Sequence, residues 1–243
     1  MALLLIGCAR LEGTTPDASD FSTLVGPSQV PADSQFVDTR PAADWQRGHL
    51  PGAIHVEWGA WTGWDYGGVA EAGAGLAAAG LRPDMPTVVY GDGRDDSDGY
   101  VAWGLRHLGM SDVRVLDGGI VGWLLAEGLL DAAVPSPAEF RPEVDDRVLA
   151  DGLGTVIDVR TAEEFEAGHV EGAIHIDTSA WRDADAYAIS ADQVRADLAD
   201  FPLDEELTVY CDTGVRAGMA WVMIVGVGYT DVRLDPDPTA SSQ

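Results

Sequence analysis

A pattern repeated in the two halves of the chain constrains the fold more than any other feature. Residues 36–55, FVDTRPAADWQRGHLPGAIH, recur at residues 156–175 as VIDVRTAEEFEAGHVEGAIH, and the match continues without a gap to Val89-Tyr90 and Val209-Tyr210. A repeat of this length indicates an internal duplication. We therefore predict two similar domains, at residues 31–134 and 138–238, joined near residues 135–137 and preceded by a tail over residues 1–30.

Strand and helix patterns alternate within each half. In the second half, short apolar runs predict strands at 156–159, 173–176 and 207–210, and helical segments are predicted at 162–167 and 217–225. This order predicts the α/β class, with a parallel sheet flanked by helices in each domain. Ligands of such sheets bind at the carboxyl ends of the strands, so the loops after Tyr90 and Tyr210 are the candidate sites.

The charge of the chain excludes several kinds of partner. It has 41 acidic residues against 14 basic ones, all of them arginine, for a net charge of -27. Such a surface repels phosphate backbones and anionic headgroups, so we expect no nucleic-acid partner and no membrane binding through a basic patch. The His, Cys and acidic residues lack the spacing of metal ligands, so we expect no metal and no cofactor.

The two cysteines lie in different contexts, and a disulfide between them is not expected. Leu5-Ile6-Gly7-Cys8 resembles a bacterial lipobox, whose cysteine becomes lipidated, and the polar residues after it suit a tether. The apolar run before Cys8 is too short for a membrane span or a complete signal peptide. Two locations stay open: the cytoplasm, or the bacterial envelope with a lipid on Cys8 as the membrane attachment.

The second candidate loop carries a cysteine. Cys211 follows a predicted buried strand and precedes a Gly-containing turn and a helix start. Unpaired backbone N–H groups and the positive end of a helix dipole favour a thiolate at such a position. A lone cysteine can also be a small buried core residue. The strand, loop and helix context favours a reactive thiol.

With this loop, the chain resembles the tandem rhodaneses, a family of two-domain sulfurtransferases. The resemblance covers roughly residues 30–235 and rests on Asp158-Val159-Arg160, on residues 168–173 and on the Cys211 loop, with matching residues in the first half. It implies that Cys211 is the catalytic nucleophile, which takes sulfane sulfur from thiosulfate or a persulfide donor and passes it to a thiol or cyanide acceptor. The residues expected to bind the substrate through the loop amides are Asp212, Thr213, Gly214, Val215 and Arg216.

Other residues of the pattern are expected to support the loop. Asp158 and Arg160 would form an ion pair at the strand end, and His169 would pack behind a glycine that ends a helix. Three roles stay open for Arg216: it could hold an anionic donor, orient the loop, or form a salt bridge to the other domain. Only four residues separate Cys211 from Arg216, one fewer than in phosphatases of similar architecture, and the tighter loop favours sulfur chemistry.

The chain departs from the family pattern at four places. Gly91 replaces the cysteine in the first half, so we expect a non-catalytic first domain that supplies one wall of a cleft. Glu164 stands where tandem sulfurtransferases commonly have a substrate-binding arginine, which disfavours mercaptopyruvate. Asp212 brings a negative charge that opposes anionic donors, and no closing helix is predicted after Asp235. The alternative is therefore a low-activity rhodanese-like binding or sulfur-relay module on the cell envelope. The sequence does not predict the oligomeric state.

Overall fold

The computed structural model describes residues 21–60, 69–150, 154–182 and 189–235, and it confirms the predicted fold class of two α/β domains with parallel sheets. The elements of the first domain are β1 (Leu24–Val25), β2 (Gln35–Asp38), α1 (Ala42–Arg47), β3 (Ile54–His55), α2 (Val69–Ala79), β4 (Thr87–Tyr90), α3 (Ser97–His107), β5 (Val113–Leu116) and α4 (Gly119–Leu125). Those of the second domain are β6 (Thr155–Asp158), α5 (Ala162–Ala167), β7 (Ile174–His175), α6 (Ala191–Asp197), β8 (Glu206–Tyr210), α7 (Val215–Gly226) and β9 (Asp231–Asp235). Among the helices in these ranges, none is long and apolar enough to cross a membrane.

Each sheet has a buried strand of the repeated sequence near its centre. The strand order is β1-β5-β4-β2-β3 in the first sheet and β7-β6-β8-β9 in the second. All residues of β4 are buried, as are the last four of β8, which suits strands covered on both faces. The carboxyl ends of β4 and β8 therefore lie near the middle of the carboxyl edge of their sheets.

The first sheet begins earlier than the predicted boundary at residue 31. Leu24 and Val25 are buried and pair in parallel with Val115 and Leu116 at the edge of the sheet. This part of the predicted tail is thus a strand of the first domain, because its two apolar side chains complete the core beside β5. Cys8 and the rest of the predicted tail up to residue 20 lie outside the described residues.

The connection between the domains contacts the first domain. The amide of Ala138 donates to the carbonyl oxygen of Ala77, and the amide of Asp145 donates to that of His107. The segment from 138 to 145 therefore runs along the first domain before the chain enters β6.

Helices α3 and α7 pack against each other and join the two domains into one hydrophobic core. A glycine on each helix permits the close approach. A methyl group added at Gly99 would stand 2.4 Å from Cα of Met219, and one added at Gly218 would stand 2.5 Å from Cα of Tyr100. The first domain thus fixes the position of α7, the helix that comes after the Cys211 loop.

Candidate active site

Cys211 stands directly after the carboxyl end of β8, where it is a free, fully buried cysteine. The chain then turns into α7 at Gly214, whose φ of 80° and ψ of -18° lie in the left-handed region that favours glycine. A methyl group at Gly214 would also stand 3.1 Å from the ring of Tyr100, which comes from the first domain. The first N–H groups of α7 have no partner within the helix, so this loop combines a thiol with amide donors and a positive helix end.

A buried network holds the strand end beneath the loop. The hydroxyl of Tyr210 donates to Oδ2 of Asp158 over 2.6 Å, and Nε and Nη2 of Arg160 donate to the same carboxylate over 2.7–3.1 Å. Burial acts to raise the pKa of Asp158. The hydrogen bonds from Arg160 and Tyr210 outweigh this effect and keep the pKa below its ordinary value. Burial, followed by the bond to Asp158, raises the pKa of Tyr210 to about 12, so the hydroxyl remains a donor. Asp158 and Arg160 thus form the expected ion pair.

Asp212 extends this network into the loop. Its Oδ1 accepts a hydrogen bond of 2.8 Å from Nη1 of Arg160, and its Oδ2 lies 3.7 Å from Nη2 of Arg216. Two guanidinium groups therefore offset part of its charge, although Arg160 is shared with Asp158. The opposition to anionic donors that the sequence suggested is weaker than for an unpaired carboxylate.

Arg216 is engaged by Glu164 of α5. Its Nη1 and Nη2 donate to the two oxygens of the Glu164 carboxylate over 2.6 and 2.8 Å. Glu164 also accepts from the amide and the hydroxyl of Thr161, which completes a capping box at the start of α5. The hydrogen bonds from Arg216 and Thr161 lower the pKa of Glu164 well below its ordinary value. Arg216 therefore forms its salt bridge within the second domain. The expectation of a salt bridge to the first domain was wrong.

The histidines of the repeat make structural contacts. His169 is exposed, stacks on Phe165 with ring centroids 3.7 Å apart, and donates from Nδ1 to the carbonyl oxygen of Phe165 over 2.9 Å. Sequence reasoning passed over His175, whose Nε2 donates to the carbonyl oxygen of Arg160 over 2.8 Å. The signal was available, because His55 recurs at the matching position and makes the matching bond in the first domain.

A cavity of about 280 Å³ lies between the two domains beside the Cys211 loop. Arg94 and Asp96 of the first domain line it, together with Arg182 and Arg216 of the second. Nη2 of Arg182 donates to Oδ1 of Asp96 over 2.8 Å, and this ion pair crosses the domain boundary. The first domain thus contributes one wall of the cavity.

Comparison with known proteins identifies the family. The model of the rhodanese-like domain matches residues 25–126 and 137–234.

The chain belongs to the rhodanese family.

It is a tandem member of this family of sulfurtransferases, since each half matches one domain. A thiosulfate sulfurtransferase of Pseudomonas aeruginosa is 31% identical over 230 residues, which cover 82% of this chain and 83% of the relative. A thiosulfate sulfurtransferase of Corynebacterium glutamicum is 30% identical over 227 residues, with coverage of 76% and 74%. The crystal structure of SseA from Escherichia coli, from work on 3-mercaptopyruvate sulfotransferases, shares the fold with a TM-score of 0.74 at 22% identity, over 83% of this chain and 91% of that one.

The equivalent loop in the first domain of this rhodanese is built without a nucleophile. At Gly91, an added methyl group would stand 3.1 Å from Oγ1 of Thr39, which itself lies 2.9 Å from Oγ of Ser97. Asp98 is fully buried nearby, and this burial raises the pKa of its carboxyl to about 8. Hydroxyl and carboxyl groups of the first domain therefore lie near the position that matches the thiol.

A groove elsewhere in this rhodanese is less suited to bind a substrate than the cavity beside the Cys211 loop. A groove of about 740 Å³ lies at the amino-terminal ends of β5 and β9, the edge opposite to Cys211. Its Arg114 and Arg233 are paired with Asp112 and Asp231, the residues two positions earlier. Within the described ranges, no group of three His, Cys, Asp or Glu side chains is arranged to hold a metal ion.

Proposed function

We propose that this rhodanese transfers sulfane sulfur from thiosulfate or a persulfide donor to a thiol or cyanide acceptor through a persulfide on Cys211. The observation that carries the proposal is the position of Cys211 between the central strand β8 and the amino-terminal end of α7. The relatives from P. aeruginosa and C. glutamicum, both named thiosulfate sulfurtransferase, support the class of donor.

The first half-reaction is a nucleophilic displacement at sulfur. The Cys211 thiolate attacks the outer sulfur of thiosulfate, a new S–S bond forms, and the original S–S bond breaks as sulfite leaves with its electron pair. In the second half-reaction, the acceptor attacks the outer sulfur of the Cys211 persulfide. The S–S bond then breaks towards Cys211, which restores the thiolate, and cyanide leaves as thiocyanate.

The surrounding residues act through position and charge. In this proposal the amides of the loop stabilise the negative charge on the transferred sulfur. Asp158 and Arg160 hold the loop through Asp212, and His169 supports the end of α5. The loop residues assigned to the substrate are Asp212, Thr213, Gly214, Val215 and Arg216.

Intact-protein mass spectrometry tests the proposal. After incubation with thiosulfate, we expect the protein to gain the mass of one sulfur atom at Cys211, to release sulfite, and to form thiocyanate when cyanide is added. Cys211→Ser should lose all three signals. Cys8→Ser is the matched control and should keep them. Wild-type protein that forms no persulfide with thiosulfate or with a small-thiol persulfide would refute the proposal.

A second candidate is a rhodanese-like binding or sulfur-relay module with slow turnover, which the complete burial of Cys211 favours. It predicts that the wild-type protein forms little thiocyanate and that Cys211→Ser leaves its biological role and its copurifying partner unchanged.

A further inference from the structure

The wall of the cavity beside the Cys211 loop contains arginines that are already paired. Arg216 is held by both oxygens of Glu164, and Arg182 by a carboxylate oxygen of Asp96. Asp177 also lines the cavity. Carboxylates therefore offset much of the positive charge that a strongly anionic donor would need.

Glu164 is the partner that matters most for a donor. It holds both terminal nitrogens of Arg216, in the first turn of α7, in the two-pronged geometry with which a guanidinium also binds an oxyanion. A thiosulfate dianion that binds Arg216 must therefore displace Glu164 or share the guanidinium with it. Displacement would also break the capping bonds of α5, because Glu164 accepts from Thr161.

A persulfide of a small thiol has no such requirement. Its transferable sulfur carries no sulfonate group, so the loop amides can stabilise the reacting sulfur without help from Arg216. The Cys211 thiolate attacks the outer sulfur of the persulfide, the donor S–S bond breaks, and the small thiol leaves as its thiolate. The proton of the donor stays on the transferred sulfur. The cavity of about 280 Å³ leaves room for a donor of the size of cysteine persulfide.

We propose that Glu164 determines the donor preference of this rhodanese: by occupying Arg216, it disfavours thiosulfate and favours a persulfide of a small thiol. This inference rests on the sulfurtransferase activity proposed above. Glu164 acts through Arg216 and is therefore a positioning residue.

Glu164→Gln is the variant that isolates this effect. Glutamine retains the capping box with Thr161, because its side-chain oxygen can accept the same bonds, but it no longer balances the charge of Arg216. The matched control is Glu163→Gln, which removes the same charge from the first turn of α5 at an exposed position. Thermal unfolding of both variants shows whether either of them is destabilised.

The experiment measures kcat and KM with thiosulfate and with cysteine persulfide. Relative to Glu163→Gln, we expect Glu164→Gln to lower KM for thiosulfate about tenfold, equivalent to about 1.4 kcal/mol, because one charge-assisted contact becomes available. The KM for cysteine persulfide should change by less than about twofold, which corresponds to less than about 0.4 kcal/mol. In the double variant Glu164→Gln/Arg216→Gln, the gain for thiosulfate should disappear.

Two results would overturn the inference while leaving the proposed function intact. One is an equal KM for thiosulfate in Glu164→Gln and Glu163→Gln. The other is a parallel decrease of KM for both donors, which would mean that only the net charge matters. Absence of a Cys211 persulfide with either donor in the wild-type protein would instead overturn the proposed function and this inference together.

Discussion

The close crossing of α3 and α7 predicts that a single methyl group at the domain interface disturbs the active-site loop. The perturbation is Gly218→Ala. In an open helix interior this change stabilises a protein by roughly 0.5–1 kcal/mol, because glycine loses more backbone freedom on folding. At Gly218, however, the new Cβ would stand 2.5 Å from Cα of Tyr100, whereas ordinary contacts begin at 3.4 Å.

The magnitude can be worked from this distance. Backbone atoms cannot rotate away as a side chain can, so the helices must separate by roughly 1 Å, and overpacking of this kind costs about 1–3 kcal/mol. After the helix-propensity gain of roughly 0.5–1 kcal/mol is subtracted, we expect a net loss of about 0–2.5 kcal/mol. Tyr100 moves with α3, and its ring contacts the site of Gly214, so sulfur transfer should fall further than stability alone explains.

The assay is thermal unfolding together with the rate of Cys211 persulfide formation. For a chain of this length, the expected loss lowers the melting temperature by up to about 10 °C. Gly99→Ala should behave alike, because its Cβ would stand 2.4 Å from Cα of Met219. The control is Gly75→Ala, at an exposed position in α2 with no atom near the added methyl group, and it should raise the melting temperature by up to about 4 °C.

A Gly218→Ala protein as stable and as active as Gly75→Ala would refute the reasoning, because it would show that α3 and α7 do not need the close approach. A loss of stability with an unchanged rate of persulfide formation would refute only the link from Tyr100 to the loop.

Three other substitutions test the buried polar groups near the loops. Tyr210→Phe removes the hydroxyl that donates to Asp158 and accepts from a backbone amide, and it should cost about 1–3 kcal/mol in denaturant unfolding; an unchanged midpoint would contradict this. Because burial raises the pKa of Asp98 to about 8, the folded state keeps a proton that the unfolded state releases near pH 4, so this group makes stability fall as pH rises between the two values. In Asp98→Asn, the free energy of unfolding should fall less steeply with pH, by at most about 1.4 kcal/mol per pH unit. Equal slopes in both proteins would count against a protonated Asp98. Arg182→Gln should cost about 1–3 kcal/mol because Asp96 loses its ion-pair partner, and adding Asp96→Asn should recover part of the loss if the pair is coupled.

Local sequence signals were sufficient to predict a helix and a strand of the repeat. The predicted helix at 162–167 has the observed bounds, because a capping box of Thr161 and Glu164 begins it and Gly168 ends it. The strand before Cys211 was also predicted, since a run of apolar and β-branched residues before a glycine-containing turn is typical of a buried strand that enters a helix.

Features that depend on distant residues could not be predicted in the same way. Leu24–Val25 is too short to show a strand period, and its role becomes evident only when β5 lies beside it. The partner of Arg216 could have been any of many acidic residues in so acidic a chain, and only the fold brings Glu164 within hydrogen-bond distance. The ion pair of Asp96 with Arg182 depends on how the two domains pack.

The duplication separates the parts of the scaffold that hold the loop from the parts that carry the chemistry. In the first domain, Tyr90 donates to Asp38 over 2.6 Å, the same distance as for Tyr210 and Asp158 in the second. The tyrosine, aspartate and arginine of each copy therefore support a strand end whether or not a cysteine stands after it. The two copies differ in the loop, which presents a thiol at Cys211 in one copy and glycine in the other. Since Arg94 of the first domain and Arg216 at the start of α7 line the same cavity, the copy without a thiol still shapes the cavity beside the Cys211 loop.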